Sequence, residues 1–321
     1  MTTYDVIVLG EPLIEFSSTD PISAGAMCRL DVSGDVVNAA AAAAAAGART
    51  AVIARVSDDE LGEAVAARFV ELGVDIRFLQ RGGGSQGVYV QHADPSGERQ
   101  FLYARSCSAG STLSPDDLPA DVLESAGAVV ASGITGALSS SCRDTLVEAA
   151  RRATRFVYDP NYRPRLTGVD DARALLHEIA RHAALITPSF PTETRALLDS
   201  EDAVSAATTL HELGVPTVAV TCGASGVHIS GDGVPEEPLW QPSVPAPTVV
   251  DQTGAGDVFV ATVAARLALG DDLPAAIRLG AAASSLAVGG AGGCGGIQGF
   301  DTVAAHARTA PAAVAATGAL R

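Results

Sequence analysis

Short apolar runs rich in Val, Ile and Ala recur along the chain, and longer Ala- and Leu-rich stretches with a helical period separate them. The runs fall at 4–10 (YDVIVLG), 50–56 (TAVIARV), 127–133 (GAVVASG), 155–160 (RFVYDP), 184–189 (ALITPS) and 217–223 (TVAVTCG). Between them, 59–72, 141–153, 170–182 and 201–213 carry helical spacing. Strand alternating with helix predicts a mostly parallel sheet covered by helices on both faces. Gly47, after the alanine tract 39–46, and Gly73, after Glu71-Leu72, sit where left-handed helix caps are expected. The tract itself suits a helix, because alanine is the best helix former and lets a helix approach a sheet closely.

Two regions break the rhythm. Residues 12–35 and 86–105 contain alternating stretches, among them GVYVQHA and RQFLYAR, the latter two joined by Asp94-Pro95-Ser96-Gly97. Alternation across a polar turn predicts antiparallel hairpins. Two such insertions can pair into a small sheet covering a site; edge strands with no such role would give the same pattern. The Ala-rich tail 301–321 reads as a terminal helix.

The chain has 321 residues, which suits one large α/β domain with an ample core. Hydrophobic residues make up 47% and aromatic residues 4%, so the core must be built mainly from Ala, Val, Leu and Ile. No apolar run approaches the roughly 20 residues of a membrane span. The N-terminus reads as a first strand and lacks a signal-peptide pattern, so a cytoplasmic location is expected. Five widely spaced cysteines form no CxxC pair, which suggests neither a zinc site nor a disulfide framework. A net charge of −16 argues against nucleic-acid and anionic-membrane partners. All 21 basic residues are arginine. With no lysine, phosphate must be handled by backbone amides, arginine or metal.

The densest chemical signal is Asp251-Gln252-Thr253-Gly254-Ala255-Gly256-Asp257, directly before a helical stretch. The N–H groups of Gly254, Ala255 and Gly256 can converge at a helix start, where the dipole also favours negative charge. Such a hole suits a transferring phosphoryl group, and Asp257 is placed to take a proton from an attacking hydroxyl. An ordinary capping aspartate after a Gly-rich loop would look alike.

DQTGAGD resembles the C-terminal signature of the ribokinase (PfkB-type) carbohydrate kinase family. Gly34-Asp35-x-x-Asn38 before the alanine helix resembles that family's GG-x-x-x-N-x-A element, and Ser57-Asp58-Asp59-Glu60-Leu61-Gly62 its G-x-D-x-x-G segment. The resemblance spans nearly the whole chain. It implies a single kinase unit over 1–321 with a Rossmann-like ribokinase fold. The insertions at about 12–35 and 86–110 would form a β lid over the sugar, with ATP along the strand ends. It makes Asp257 the base, Gly254, Ala255 and Gly256 the anion hole, and Asn38 a substrate contact. Thr221-Cys222-Gly223-Ala224-Ser225-Gly226 resembles the nucleotide-contacting turn, although a plain tight turn would read the same. The implied nucleotide contacts are Ser189, Thr221, Gly223, Ser225 and Gly226.

Magnesium with ATP is implied. The family's N-x-x-E motif is imperfect here, with Ser189 in place of Asn and Glu193 one residue late. Asp251 and Thr253 match positions that often help bind a monovalent cation such as K+. Gly10-Glu11-Pro12, Tyr103-Ala104-Arg105 and Asp159-Pro160-Asn161-Tyr162-Arg163 resemble the 2-keto-3-deoxygluconate kinase branch. That branch implies Gly34, Tyr89, Tyr103, Arg105 and Arg163 as sugar-acid contacts, and arginine suits a carboxylate because it donates two parallel hydrogen bonds. Surface ion pairs remain the alternative for both arginines. The other readings are a neutral-sugar kinase of fructokinase or ribokinase type and a non-catalytic sugar- or nucleotide-binding protein. A homodimer or higher homo-oligomer is compatible with the resemblance. The stretch 283–296 (ASSLAVGGAGGCGG) either contacts the adenine or serves backbone packing.

Overall fold

In the computed structural model, which describes residues 3–94, 96, 98–234 and 237–316, the apolar runs become strands of one large sheet. In chain order the elements are β1 (Val6–Leu9), β2 (Leu13–Ser17), β3 (Arg29–Ser33), α1 (Asp35–Ala45), β4 (Thr50–Val56), α2 (Glu60–Glu71), β5 (Asp75–Arg81), β6 (Val88–Ala93) and β7 (Arg99–Ala104). They continue with α3 (Val122–Ser125), β8 (Ala128–Ser132), α4 (Gly133–Gly136), α5 (Ser140–Arg152), β9 (Phe156–Asp159), α6 (Val169–Ala180), β10 (Ala183–Ile186), α7 (Thr192–Leu198), α8 (Ala203–Glu212) and β11 (Thr217–Thr221). The last are β12 (Gly226–Gly231), β13 (Leu239–Pro242), α9 (Ala255–Ala268), α10 (Leu273–Ala287), α11 (Phe300–Ala307) and β14 (Val314–Ala315).

The large sheet runs β14-β13-β12-β11-β10-β9-β8-β1-β4-β5. From β5 through β11 every pairing is parallel, and β11 through β14 form an antiparallel edge. Successive side chains on a strand point to opposite faces, which divides β1 between two cores. Val6 and Val8 pack with residues of α1, α9 and α10, such as Ala40, Val260 and Ala276. Ile7 and Leu9 pack on the other face with Leu146 of α5, Leu175 of α6 and Leu210 of α8. Burying Ile7 or Leu9 contributes roughly 1.5–3 kcal/mol each.

The two insertions do pair. β2 and β3 are antiparallel, as are β6 and β7, and β2 joins β6 in parallel, giving a separate four-stranded sheet of order β3-β2-β6-β7. Pro95 and Gly97 of the connecting turn lie outside the described residues. Gly47 and Gly73 have the left-handed backbone expected of them, at φ of 93° and 75°.

Other elements differ from the sequence reading. β5 carries Asp75, Arg77 and Arg81, which mask a sheet-edge strand as polar surface. β12 to β14 also lack the apolar-run signal. The expected tail helix stops at Ala307, and Val314-Ala315 pairs instead with β13. Pro311 accounts for the stop, since it lacks an N–H and disfavours helix at the residue before it. The run at 184–189 leaves the strand after Ile186, and Pro188 accounts for that in the same way.

Candidate active site

The carboxyl ends of β1, β8, β9, β10 and β11 open on one side of the large sheet, and the starts of α1 and α9 converge there. Open α/β sheets place ligands at this edge. One cleft at this edge is lined by Asp35, Ser132, Asp159 and Asp257, and a second by Gly133, Asn161, Tyr162 and Arg163.

Asp257, in the first turn of α9, is held from two sides. Asn38 of α1 donates from Nδ2 to Oδ2 at 2.9 Å, and Asn161, just past β9, donates from Nδ2 to Oδ1 at 3.1 Å. Asn38 is itself fixed: the Cys294 thiol donates to its Oδ1 at 3.2 Å, which leaves the amide nitrogen for Asp257. Burial keeps that thiol protonated by pushing its pKa up to about 12. Gly254 has φ of 79°, and a Cβ there would lie 2.8 Å from Asn38 Nδ2 and 2.8 Å from the Gly293 carbonyl. The Ala255 N–H turns to the Gln252 carbonyl at 3.3 Å. The N–H groups of Gly254, Gly256 and Asp257 have no acceptor among the described residues. Three unpartnered donors at a helix start suit an anion, and this set differs from the expected Gly254-Ala255-Gly256 in one member, with Asp257 in place of Ala255.

The electrostatics are dominated by clustered acids. Loss of solvation pushes Asp257 up to about 6, the charge of Asp35 adds to the rise, and Asn38, Arg163 and Asn161 oppose it. Asp159 is raised well above the usual carboxylate range by burial and by Glu193 and Asp257. Glu193 is raised by burial, against the backbone N–H groups of Ser189 and Tyr162, which reach its two oxygens at 2.7 and 2.6 Å. Arg163 is exposed, and its positive charge lowers all three acids. Asp159 Oδ1 accepts from the Asn161 N–H at 3.1 Å, whereas Oδ2 accepts no hydrogen bond among the described residues.

The other residues singled out in the sequence form two further groups. Ser189 and Thr221 meet in a parallel bridge, beside the turn Gly223–Ser225 and Gly226. Gly34 precedes α1 at φ of 111°, close to the Glu11 carbonyl. Arg105 is bound to the buried Glu11 through Nε at 2.7 Å and through Nη2, and Ser108 also donates to Glu11. Tyr89 is buried, with its hydroxyl donated to Glu15 and its ring 5.8 Å from that of Tyr103, whereas Tyr103 is exposed. Asp251 is buried and accepts from the Thr253 N–H, the Gly292 N–H and Arg99. Of the glycine-rich stretch, Gly292, Gly293 and Cys294 pack around Asp251 and Asn38.

Some partners escaped the sequence reading. Asn161 was visible only as one position of Asp159-Pro160-Asn161-Tyr162-Arg163, with no role attached, although its positive φ of 41° marks a special turn. Arg99 was visible only as the first residue of the RQFLYAR stretch, and Cys294 only as one of five widely spaced cysteines.

Comparison with known proteins agrees with the fold. The pfkB family carbohydrate kinase model matches residues 4–298. A 2-dehydro-3-deoxygluconokinase of Thermoproteus tenax is 33% identical over 290 residues, which is 88% of each chain. A 2-dehydro-3-deoxygalactonokinase of Haloferax volcanii is 29% identical over 294 residues, covering 88% of this chain and 91% of its own. The Arabidopsis thaliana ribokinase structure, complexed with ribose and ATP, superimposes with a TM-score of 0.79 at 22% identity, over 96% of this chain and 99% of that one. The large sheet, the separate small sheet and the helix-start anion site thus define a sugar kinase of ribokinase fold. The chain belongs to the pfkB family of carbohydrate kinases. Among the described residues no helix is long and apolar enough to cross a membrane.

Proposed function

We propose that this kinase transfers the γ-phosphate of ATP to a hydroxyl of 2-keto-3-deoxygluconate or a closely similar sugar acid. The observation that carries the reading is Asp257, a carboxylate of raised pKa held between two asparagine amides beside three unpartnered N–H donors. The substrate hydroxyl attacks the γ-phosphorus, the bond from that phosphorus to the bridging oxygen of ADP breaks, and the hydroxyl proton passes to Asp257. The N–H groups of Gly254, Gly256 and Asp257 offset charge on the transferring group, and most of the remaining catalysis is positioning. Residues 1–321 act as one kinase unit, with the small sheet from 12–35 and 86–110 as its lid.

ATP fits along the ends of β10 and β11, against Ser189, Thr221 and the 223–226 turn. The oxygen donors beside it suit magnesium, which keeps several waters and takes one or two carboxylates. Asp159, with its free Oδ2, would hold the ion directly. Glu193, whose oxygens already accept two backbone N–H groups, would act through water. When bound, magnesium would supply charge neutralisation for the phosphates. Asp251 and Thr253 do not fit a free monovalent cation, because the Arg99 guanidinium already neutralises Asp251, whose oxygens also accept two backbone N–H groups.

The base must be ionised, and its pKa is raised, so activity is present above that pKa and lost as pH falls through it. We expect kcat/KM to fall about tenfold per pH unit below roughly pH 6. Asn38→Ala should move the midpoint upward, since Asn38 holds the pKa down. A kcat/KM–pH profile checks both; a midpoint at the ordinary aspartate value of 3.8 would contradict the assignment.

Arg105 and Arg163 supply positive charge for an acid substrate in a chain of net charge −16. Arg163→Ala and Arg105→Ala are each expected to raise KM for the sugar acid about ten- to hundredfold, as for loss of one charge-assisted contact. KM for ATP should stay within a factor of about two. Steady-state kinetics on 2-keto-3-deoxygluconate tests this, and unchanged KM in both variants would sink the acid assignment. One observation favours the alternative of a neutral-sugar substrate: Arg105 is already neutralised by Glu11, so an acid substrate must share or displace that partner.

A further inference from the structure

Asp251 is 3% exposed, three residues ahead of the glycine that opens the anion site. A buried carboxylate is costly unless it is paired and fully hydrogen-bonded. Here its partners come from three separate segments. The Thr253 N–H reaches Oδ1 at 2.8 Å and shapes the turn into Gly254. The Gly292 N–H reaches Oδ2 at 3.1 Å and pins the glycine-rich loop whose next residues, Gly293 and Cys294, enclose Asn38. The third partner carries the compensating charge: Arg99 Nη1, from β7 of the small sheet, pairs with Oδ1. Together these contacts hold Asp251 ionised, with its pKa below the ordinary range despite burial. Glu15, the other acid nearby, is occupied by the Tyr89 hydroxyl.

A free monovalent ion at this carboxylate would lie within a few ångströms of the guanidinium. At about 4 Å, two like charges repel by roughly 4 kcal/mol at an effective dielectric of 20. The ion could enter only by displacing Arg99. We infer that Arg99 is a built-in cation: its guanidinium stands in for a free monovalent ion beside Asp251 and ties the small sheet to the loop that presents Gly254 to Asp257, so the enzyme works without potassium. Arg99 is therefore a positioning residue acting through Asp251. The inference rests on the sugar-kinase reading for its kinetic arm and on the geometry alone for its binding arm.

The test compares potassium with tetramethylammonium chloride at fixed ionic strength. In the binding arm, the thermal midpoint of the unmodified protein should be the same in both salts. In the kinetic arm, ADP release should differ by less than about twofold between them. Arg99→Gln, which removes the charge and is two atoms too short to keep the contact with Asp251, is expected to lower kcat about tenfold with little change in KM for ATP, as for a disturbed anion site. Arg99→Lys should recover part of that loss. A potassium-specific rise in the midpoint of the unmodified protein would overturn the inference whether or not any sugar is turned over. So would a potassium stimulation of about fivefold or more, or an Arg99→Gln variant that turns over like the parent. Absence of turnover in both salts with an unchanged midpoint would count against the substrate reading while supporting the built-in cation.

Discussion

Asp257→Asn is expected to lower kcat by about 10³-fold while leaving nucleotide affinity nearly unchanged, in the range known for loss of a positioned general base. The substitution is close to isosteric, and its structural cost can be read from the site. Asp257 accepts from Asn38 at one oxygen and from Asn161 at the other, whereas an asparagine offers only one acceptor. One of the two amides must turn away, a loss of about 1 kcal/mol. Removing a charge from beside Asp35 and Asp159 compensates part of it. The variant should therefore fold, bind ADP in calorimetry like the parent and fail in turnover. Retention of more than about a tenth of kcat would remove Asp257 from the role of base. A protein that only binds sugar or nucleotide would show no such split.

Gly254→Ala should be nearly as severe, for a different reason. Its left-handed backbone costs a residue with a Cβ about 1–2 kcal/mol. Gly47→Ala pays the same penalty at φ of 93°, where an added Cβ meets nothing within 4 Å. At Gly254 the Cβ would also press on Asn38 Nδ2 and the Gly293 carbonyl, each at 2.8 Å. Relief requires the loop to shift, which re-aims the Gly256 and Asp257 N–H groups and displaces Asn38 from Asp257. We expect kcat to fall by about 10²–10³, comparable to loss of an oxyanion-site donor. Gly47→Ala should lose stability without losing kcat. Thermal melts and steady-state kinetics on both variants separate strain from misalignment; equal kcat in the two would show that the Gly254 loop does not align the reaction.

The parts of this molecule that were legible in its sequence are those written locally. β1, β4 and β8 to β11 are short apolar runs because each lies inside a sheet with helices on both faces. The small sheet announced itself by alternation. The GAGD loop stood out because its glycines adjoin a helix start. Edge elements were hidden for a physical reason: β5 meets solvent with half its side chains and so carries charge, and Pro311 diverts the tail into an edge strand.

The architecture of the site was less legible because it is made by convergence over long chain separations. Asn161 lies 96 residues from Asp257, Arg99 lies 152 from Asp251, and Cys294 lies 256 from Asn38. No local pattern distinguishes Arg99 from the exposed arginines of β5. The structure also redistributes work among residues that were anticipated. Tyr89 is buried on Glu15 while Tyr103 is the exposed ring, Ala255 turns its N–H inward, and Arg105 arrives already paired with Glu11.

ADP release from magnesium-ATP with 2-keto-3-deoxygluconate, its galacto epimer, fructose and ribose as acceptors decides between these substrates. The expected kcat/KM for a keto-deoxy acid is at least about tenfold above that for either neutral sugar, and Asp257→Asn should abolish it. Preference for fructose or ribose would contradict the acid-substrate reading, and ADP release that survives Asp257→Asn would contradict the site itself.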